Sequence, residues 1–141
     1  MPTRNASAQW SGTIKGGSGQ FDTETGITGP YSFGSRFESA KGSNPEELLA
    51  AAHAACYSMA LSLGLEKAGA APERIDTKAA CTIEQAGGGF KITSMKLTTR
   101  VKASGIDATK FSEVAEATKL GCPVSGALVN NVQIELDATL E

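Results

Sequence analysis

The chain has 141 residues, is 40% hydrophobic and 20% charged, and carries a formal net charge of −2, which suits a single domain with its own core and no staples. Its 13 Lys and Arg residues are interspersed with 15 acids, so the basic footprint that nucleic acid requires is missing. We expect no apolar run long enough to cross a bilayer, and the polar start Met1-Pro2-Thr3-Arg4-Asn5 lacks the apolar core of a secretory signal, so a soluble cytoplasmic protein is expected.

The first third is rich in Gly, Ser and Thr, with β-type stretches at Ala8 to Lys15, Gly19 to Thr23 and Pro30 to Phe33, and it predicts a small antiparallel meander. Gly16-Gly17 and Thr25-Gly26 are the expected turns. At Asn44 the pattern changes to an Ala and Leu run ending near Gly69. Asn44 is placed to cap this central helix, Pro45 suits its first position, and Glu47 falls where a capping-box carboxylate sits. Leu48, Leu49, Ala52, Ala55, Cys56, Met59 and Leu63 are apolar on most sides, which predicts a buried helix.

Ile75 to Gln85 and Phe90 to Ala103 alternate apolar and polar residues about Gly87-Gly88-Gly89, a long hairpin whose apolar face should cover the central helix. Asp107 is the expected cap of an amphipathic helix through Phe111, Val114, Ala115 and Thr118, stopped by Gly121. Cys122-Pro123 opens a further short helix, and Val132 to Leu136 closes the chain as a strand. The class is α+β.

Three cysteines at wide spacing match no compact disulfide scaffold, so in a reducing compartment they are either small core residues or working thiols. Cys56 and Cys122 are the candidate pair, because a redox dithiol needs one thiolate to meet an oxidant and a second thiol to resolve the sulfenic acid. Helix electrostatics favour Cys122 as the more acidic thiol, at a helix start, whereas Cys56 lies about three turns into its helix and needs a cation from elsewhere. His53, one turn before Cys56, is a candidate base, or a zinc ligand with both cysteines, but a space-filling role with one hydrogen bond serves it as well. Cys81 reads as a filler in an alternating strand. Composition alone does not lift Arg36 or Glu46 above other charged residues, and the residues by themselves stop at a dithiol enzyme.

The motifs go further. Gln9-Trp10-Ser11-Gly12, Thr23-Glu24-Thr25-Gly26, Ser35-Arg36-Phe37-Glu38, Asn44 to Met59 with Ala-Ala-His-Ala-Ala-Cys, Gly105-Ile106-Asp107-Ala108 and Gly121-Cys122-Pro123-Val124-Ser125 together resemble the osmotically inducible protein C family, which includes the organic hydroperoxide resistance proteins. The resemblance spans nearly the whole chain and is nearer the osmotically inducible branch. It implies an OsmC-like fold over residues 1–141, with antiparallel sheets wrapped around a long central helix in an intertwined homodimer. It also implies a thiol-dependent peroxidase of organic hydroperoxides that serves in stress defence, with Cys56 peroxidatic and Cys122 resolving.

By the same resemblance Arg36 and Glu46 complete the site, the guanidinium stabilising the Cys56 thiolate and the breaking peroxide bond while Glu46 holds Arg36. The family implies no bound cofactor or metal, and an external dithiol, a dihydrolipoyl group on a lipoylated protein, as reductant. Glu46 and Cys56 lie ten residues apart on one predicted helix, roughly 15 Å along its axis, so Arg36 and Glu46 of one subunit are expected to meet Cys56 and Cys122 of the other. Phe33, Phe37, Tyr57 and Met59 are the expected apolar lining of the mouth. A thiol-disulfide reductase using the same cysteines, a non-catalytic redox-sensing protein and a zinc protein are the alternatives.

Overall fold

Short alternating stretches at the start of the chain pair as expected. The computed structural model describes all residues, Met1–Glu141, in two units, Met1–Leu48 and Leu49–Glu141. In the first, β1 (Ala6–Ser11), β2 (Ser18–Thr23) and β3 (Thr28–Tyr31) form an antiparallel meander in that order. Ala6 is opposite Thr23, and Gly19 opposite Tyr31. The rings of Trp10 and Tyr31 meet at 5.6 Å between centroids. Gly26 takes the positive φ expected of the second turn, but in the first turn the left-handed residue is Gly12, at φ 95°, rather than Gly16 or Gly17.

The expected strand through Phe33 stops at Tyr31 and gives way to a one-turn helix, α1 (Phe33–Phe37). The reason is a reciprocal cap: Ser35 N–H donates to Ser32 Oγ at 3.1 Å and Ser32 N–H to Ser35 Oγ at 2.9 Å. This local pairing outweighs the strand preference of the aromatic residues.

The long helix α2 runs from Pro45 to Lys67. Glu47 N–H donates to Asn44 Oδ1 at 2.8 Å, so Asn44 caps the helix as predicted. Its buried stripe in the second unit is His53, Tyr57, Leu61 and Leu65, each fully covered and spaced at i, i+4, i+8 and i+12, one face of a helix. The expectation of a buried helix is therefore corrected to one buried face: within this chain Met59 and Leu63 on other faces remain 79% and 52% exposed. The expectation of no bilayer-length apolar run is also corrected, because this 23-residue helix is long and apolar enough by length and composition. Its stripe packs in a protein core instead.

That core is closed by the hairpin β4 (Arg74–Ala86) and β5 (Gly89–Lys102). Gly87 and Gly88 both have positive φ, 58° and 82°, the conformation of the tight two-residue turn that matches strand twist. An alanine at Gly88 has to adopt a backbone costing roughly 1–2 kcal/mol; we expect Gly88→Ala to lower the urea midpoint with an unchanged slope. Met95, Leu97, Thr99 and Val101 alternate along β5 into the core. Thr99 finds a partner there in Thr77 at 2.9 Å, and Thr77 accepts from Ser58 at 2.8 Å, so the buried hydroxyls stay satisfied.

Helix α3 (Ala108–Gly121) starts at its predicted cap, Asp107, whose carboxylate accepts from Lys110 N–H at 2.8 Å. Short α4 (Pro123–Leu128) and β6 (Gln133–Leu140) follow. β6 is four residues longer at its end than expected, and it pairs with β5 in parallel, Ser94 opposite Gln133 and Val101 opposite Leu140. The all-antiparallel expectation is thus corrected for this sheet, whose order is β4-β5-β6. A crossover through two helices lets the last strand return in the same direction as β5.

Candidate functional site

Two constellations carry the predicted residues, one in each unit. In Met1–Leu48, Arg36 and Glu46 form a forked ion pair: Nη2 donates to Oε1 at 2.7 Å, and Nε donates to Oε1 at 3.1 Å and Oε2 at 3.3 Å. Glu46 is 5% exposed. The pairing follows from how α1 is tied to the start of α2. Ser35 Oγ donates to Ser43 O at 2.7 Å, and Asn44 Nδ2 to Ser35 O at 3.3 Å, while the Asn44 cap fixes the first turn that carries Glu46. A planar fork on a carboxylate gives direction as well as charge. The carboxylate occupies the Nε and Nη2 edge of the guanidinium, and the Phe37 ring lies 5.2 Å from Cζ. The Phe33 ring meets Phe37 at a tilt of 51°, with 5.1 Å between centroids.

In Leu49–Glu141 the cysteine pair is assembled around the start of α4. Cys122 ends α3, its N–H donating to Thr118 O at 3.1 Å, and caps α4 with its sulfur, which accepts from Ser125 N–H at 3.3 Å. The Cys56 sulfur accepts from Val124 N–H and is hydrogen-bonded to Cys122. Two of the amides that a first helical turn leaves without intrahelical partners therefore serve the two sulfurs, one each. Cys122 is 1% exposed and Cys56 half-buried.

Burial pushes the Cys56 thiol up; the Val124 amide pulls it down, and the hydrogen bond and electrostatic interaction with Cys122 push it up again, for a net rise. Within this unit no cation is among the groups that set it.

His53 is fully buried, with Nε2 2.7 Å from Ser125 Oγ and Nδ1 without a partner. Burial lowers its pKa, which keeps the imidazole neutral at pH 7. Ser125 also accepts from Cys122 Sγ at 3.2 Å. The three residues weighed as zinc ligands, His53, Cys56 and Cys122, do not gather into a metal-holding group; His53 turns its Nε2 to a hydroxyl.

Sequence reasoning missed Ser125 and Val124, although Ser125 stands three residues after the capping Cys122, the spacing at which a cap meets its partner. It also misplaced Tyr57. That side chain is fully buried and donates to Ala115 O at 3.1 Å, so it belongs to the core rather than to a substrate mouth. Cys81 is half-buried on β4 and packs against the core.

The chain is similar to known proteins in sequence and in fold. A sequence model described as OsmC-like protein matches residues 38–137. The chain is 46% identical over 140 residues to peroxiredoxin OsmC of Escherichia coli, covering 98% of this chain and 96% of that protein. It is 33% identical over 101 residues to organic hydroperoxide resistance protein OhrB of Bacillus subtilis, 71% of this chain and 72% of that one. The crystal structure of OhrB superposes with a TM-score of 0.72 at 24% identity, covering 96% and 98% of the two chains. An organic hydroperoxide resistance protein from Elizabethkingia anophelis gives 0.76 at 23% identity, covering 100% and 98%. Identities this low speak for the shared fold, whereas the sequence matches speak for kinship with redox enzymes. The chain belongs to the OsmC-like protein family.

Proposed function

We propose that this protein is a thiol-dependent peroxidase that reduces organic hydroperoxides to alcohols. The observation that carries the reading is the contact between the Cys56 and Cys122 sulfurs at the first turn of α4. The Cys56 thiolate attacks the outer oxygen of ROOH; the O–O bond breaks, the alkoxide leaves and takes a proton from solvent to become ROH, and Cys56 becomes a sulfenic acid. Cys122 then attacks that sulfur, expelling the oxygen as water and closing a disulfide. An external dithiol, on this reading a dihydrolipoyl group, reduces the pair again. Such a cycle belongs in a reducing compartment, the cytoplasm.

Arg36 supplies the positive charge that the Cys56 environment lacks, oriented by Glu46. Glu46 and Cys56 are ten residues apart along the one helix α2, so a homodimer is proposed in which one subunit's Arg36 faces its partner's cysteines. Nη1, which the carboxylate does not engage, is the donor left for the peroxide oxygens. The names of the relatives, a peroxiredoxin and organic hydroperoxide resistance proteins, support this reading.

The test is a single turnover of reduced protein with one equivalent of cumene hydroperoxide, followed by thiol counting and peptide mapping. Loss of two thiols with a Cys56 to Cys122 link is expected in the wild type and not in Cys56→Ser. Survival of all three thiols would sink the peroxidase. Reduction of protein disulfides in that case would make the protein a thiol-disulfide reductase.

A further inference from the structure

The resolving step has a proton to dispose of, and Cys122 is shut off from the surface of its own chain. Its side chain is 1% exposed, yet a thiol must lose its proton to become the attacking sulfur. The path open to it runs inward. Cys122 Sγ donates to Ser125 Oγ at 3.2 Å, and Ser125 Oγ lies 2.7 Å from His53 Nε2. All three are buried, and Ser125 and His53 are fully so.

A hydroxyl has one proton to give. With Ser125 accepting from the Cys122 thiol, its own proton points to His53, whose Nε2 is then the bare nitrogen and Nδ1 carries the hydrogen. The chain runs one way, from sulfur to imidazole. Shifting each proton by one bond gives the other end state, an imidazolium donating to Ser125 and Ser125 to a thiolate, with no heavy atom moved. His53 is the single histidine of the chain. The neighbouring phenol, Tyr57, is committed to Ala115 O, so it does not compete.

We propose that His53, acting through Ser125, accepts the proton of Cys122 during disulfide formation. This rests on the peroxidase reading for its natural substrate, the Cys56 sulfenic acid, but the step itself is an attack of Cys122 on any oxidised Cys56. The S–S bond forms as the S–O bond breaks; oxygen leaves as hydroxide and becomes water with a solvent proton. The Cys122 proton passes to Ser125 Oγ, and the Ser125 proton to His53 Nε2. When an external dithiol attacks Cys56, Cys122 departs as a thiolate and the same path returns a proton to it. Burial, which lowers the His53 pKa, favours this return. His53 is thus a positioning and proton-holding residue for Cys122, while Ser125 touches the reacting sulfur.

The experiment separates the two chemical steps in a Cys81→Ser background. Stopped-flow consumption of cumene hydroperoxide reads Cys56 oxidation, and dimedone trapping with disulfide mapping reads resolution. His53→Gln keeps a hydrogen-bonding side chain but no base, and Ser125→Ala removes the hydroxyl at little change of volume. Both should slow resolution about 100-fold more than they slow peroxide consumption, the lower end of general-base effects, and Ser125→Thr should restore most of it. A structural defect would slow both steps together or escape rescue by threonine. Wild-type resolution rates in both variants would overturn the relay.

A second arm is independent of peroxide. One equivalent of an aryl disulfide reagent loads the more accessible Cys56, and release of the second aryl thiolate times the attack by Cys122. Slow release in His53→Gln and Ser125→Ala supports the relay even if peroxide is not a substrate, and unchanged release in both refutes it. Failure of the wild type to consume peroxide would count against the peroxidase alone.

Discussion

On the proposed peroxidase reading, Arg36→Met is expected to lower the rate of Cys56 oxidation by hydroperoxide about 100- to 1,000-fold, the loss seen when one preorganised donor to a developing oxyanion is removed. Two effects combine. In the proposed site the guanidinium would no longer offset the groups that already hold the Cys56 thiol above its ordinary range, namely burial and the neighbouring Cys122. Nothing then meets the charge that grows on the leaving alkoxide. Less thiolate exists at neutral pH, so alkylation of Cys56 by iodoacetamide moves to more alkaline pH in the variant. The sign for stability is the opposite. A thiol whose pKa is raised by folding stabilises the fold below its ordinary pKa, and that contribution is lost as pH rises through the raised value.

The same variant tests where Arg36 acts. Arg36→Met retains both cysteines, and Cys56→Ser retains the Arg36 and Glu46 fork. Each variant alone is expected to be inactive. If the site is built from two subunits, a heterodimer carrying one change in each chain places both lesions in one site and leaves the other site whole. Mixing the unfolded proteins and refolding them together should then restore activity that neither shows alone. Absence of recovery, with heterodimers demonstrated by mass, would mean that each chain supplies its own Arg36.

Leu61→Ala is expected to destabilise the protein by about 2–5 kcal/mol, the range for truncating a leucine in a packed core. Leu61 is fully buried in one cluster with Tyr57, Leu65, Met95, Leu97 and Val101. The removed atoms leave a space bounded by a helix and a strand, neither of which can close it without moving its neighbours. Equilibrium urea unfolding at a fixed protein concentration measures the loss. The contrast is Leu63→Ala two residues on: its side chain is 52% exposed, and within the chain it costs under half as much. Equal losses at the two positions would show that the outer face of α2 is covered as tightly as the inner one.

Much of the fold was legible because its signals are local. Asn44-Pro45, Asp107 and Cys122-Pro123 announce helix starts through caps made within three residues, and the structure has a helix at each. Gly87-Gly88 announces a hairpin through φ values that other residues resist. One local signal was passed over. Ser32 and Ser35 cap each other across one turn, and the aromatic residues around them drew the reading toward a strand.

Apart from α1, the sequence by itself determined which segments are helix and strand, where most of them begin, and that two cysteines stand in settings fit for chemistry, since periodicity and capping act over a few residues. Tertiary structure decided the rest. Hydropathy around α2 is nearly uniform, so only packing could select the His53, Tyr57, Leu61 and Leu65 stripe as its inner face. Nor does the strand pattern of Gln133–Leu140 record which neighbour it pairs with or in which direction. The contact of His53 with Ser125 spans 72 residues, and that of Cys56 with Cys122 joins the middle of one helix to the start of another. Such contacts form because two elements pack on a common core, and the chain's local pattern holds no record of them.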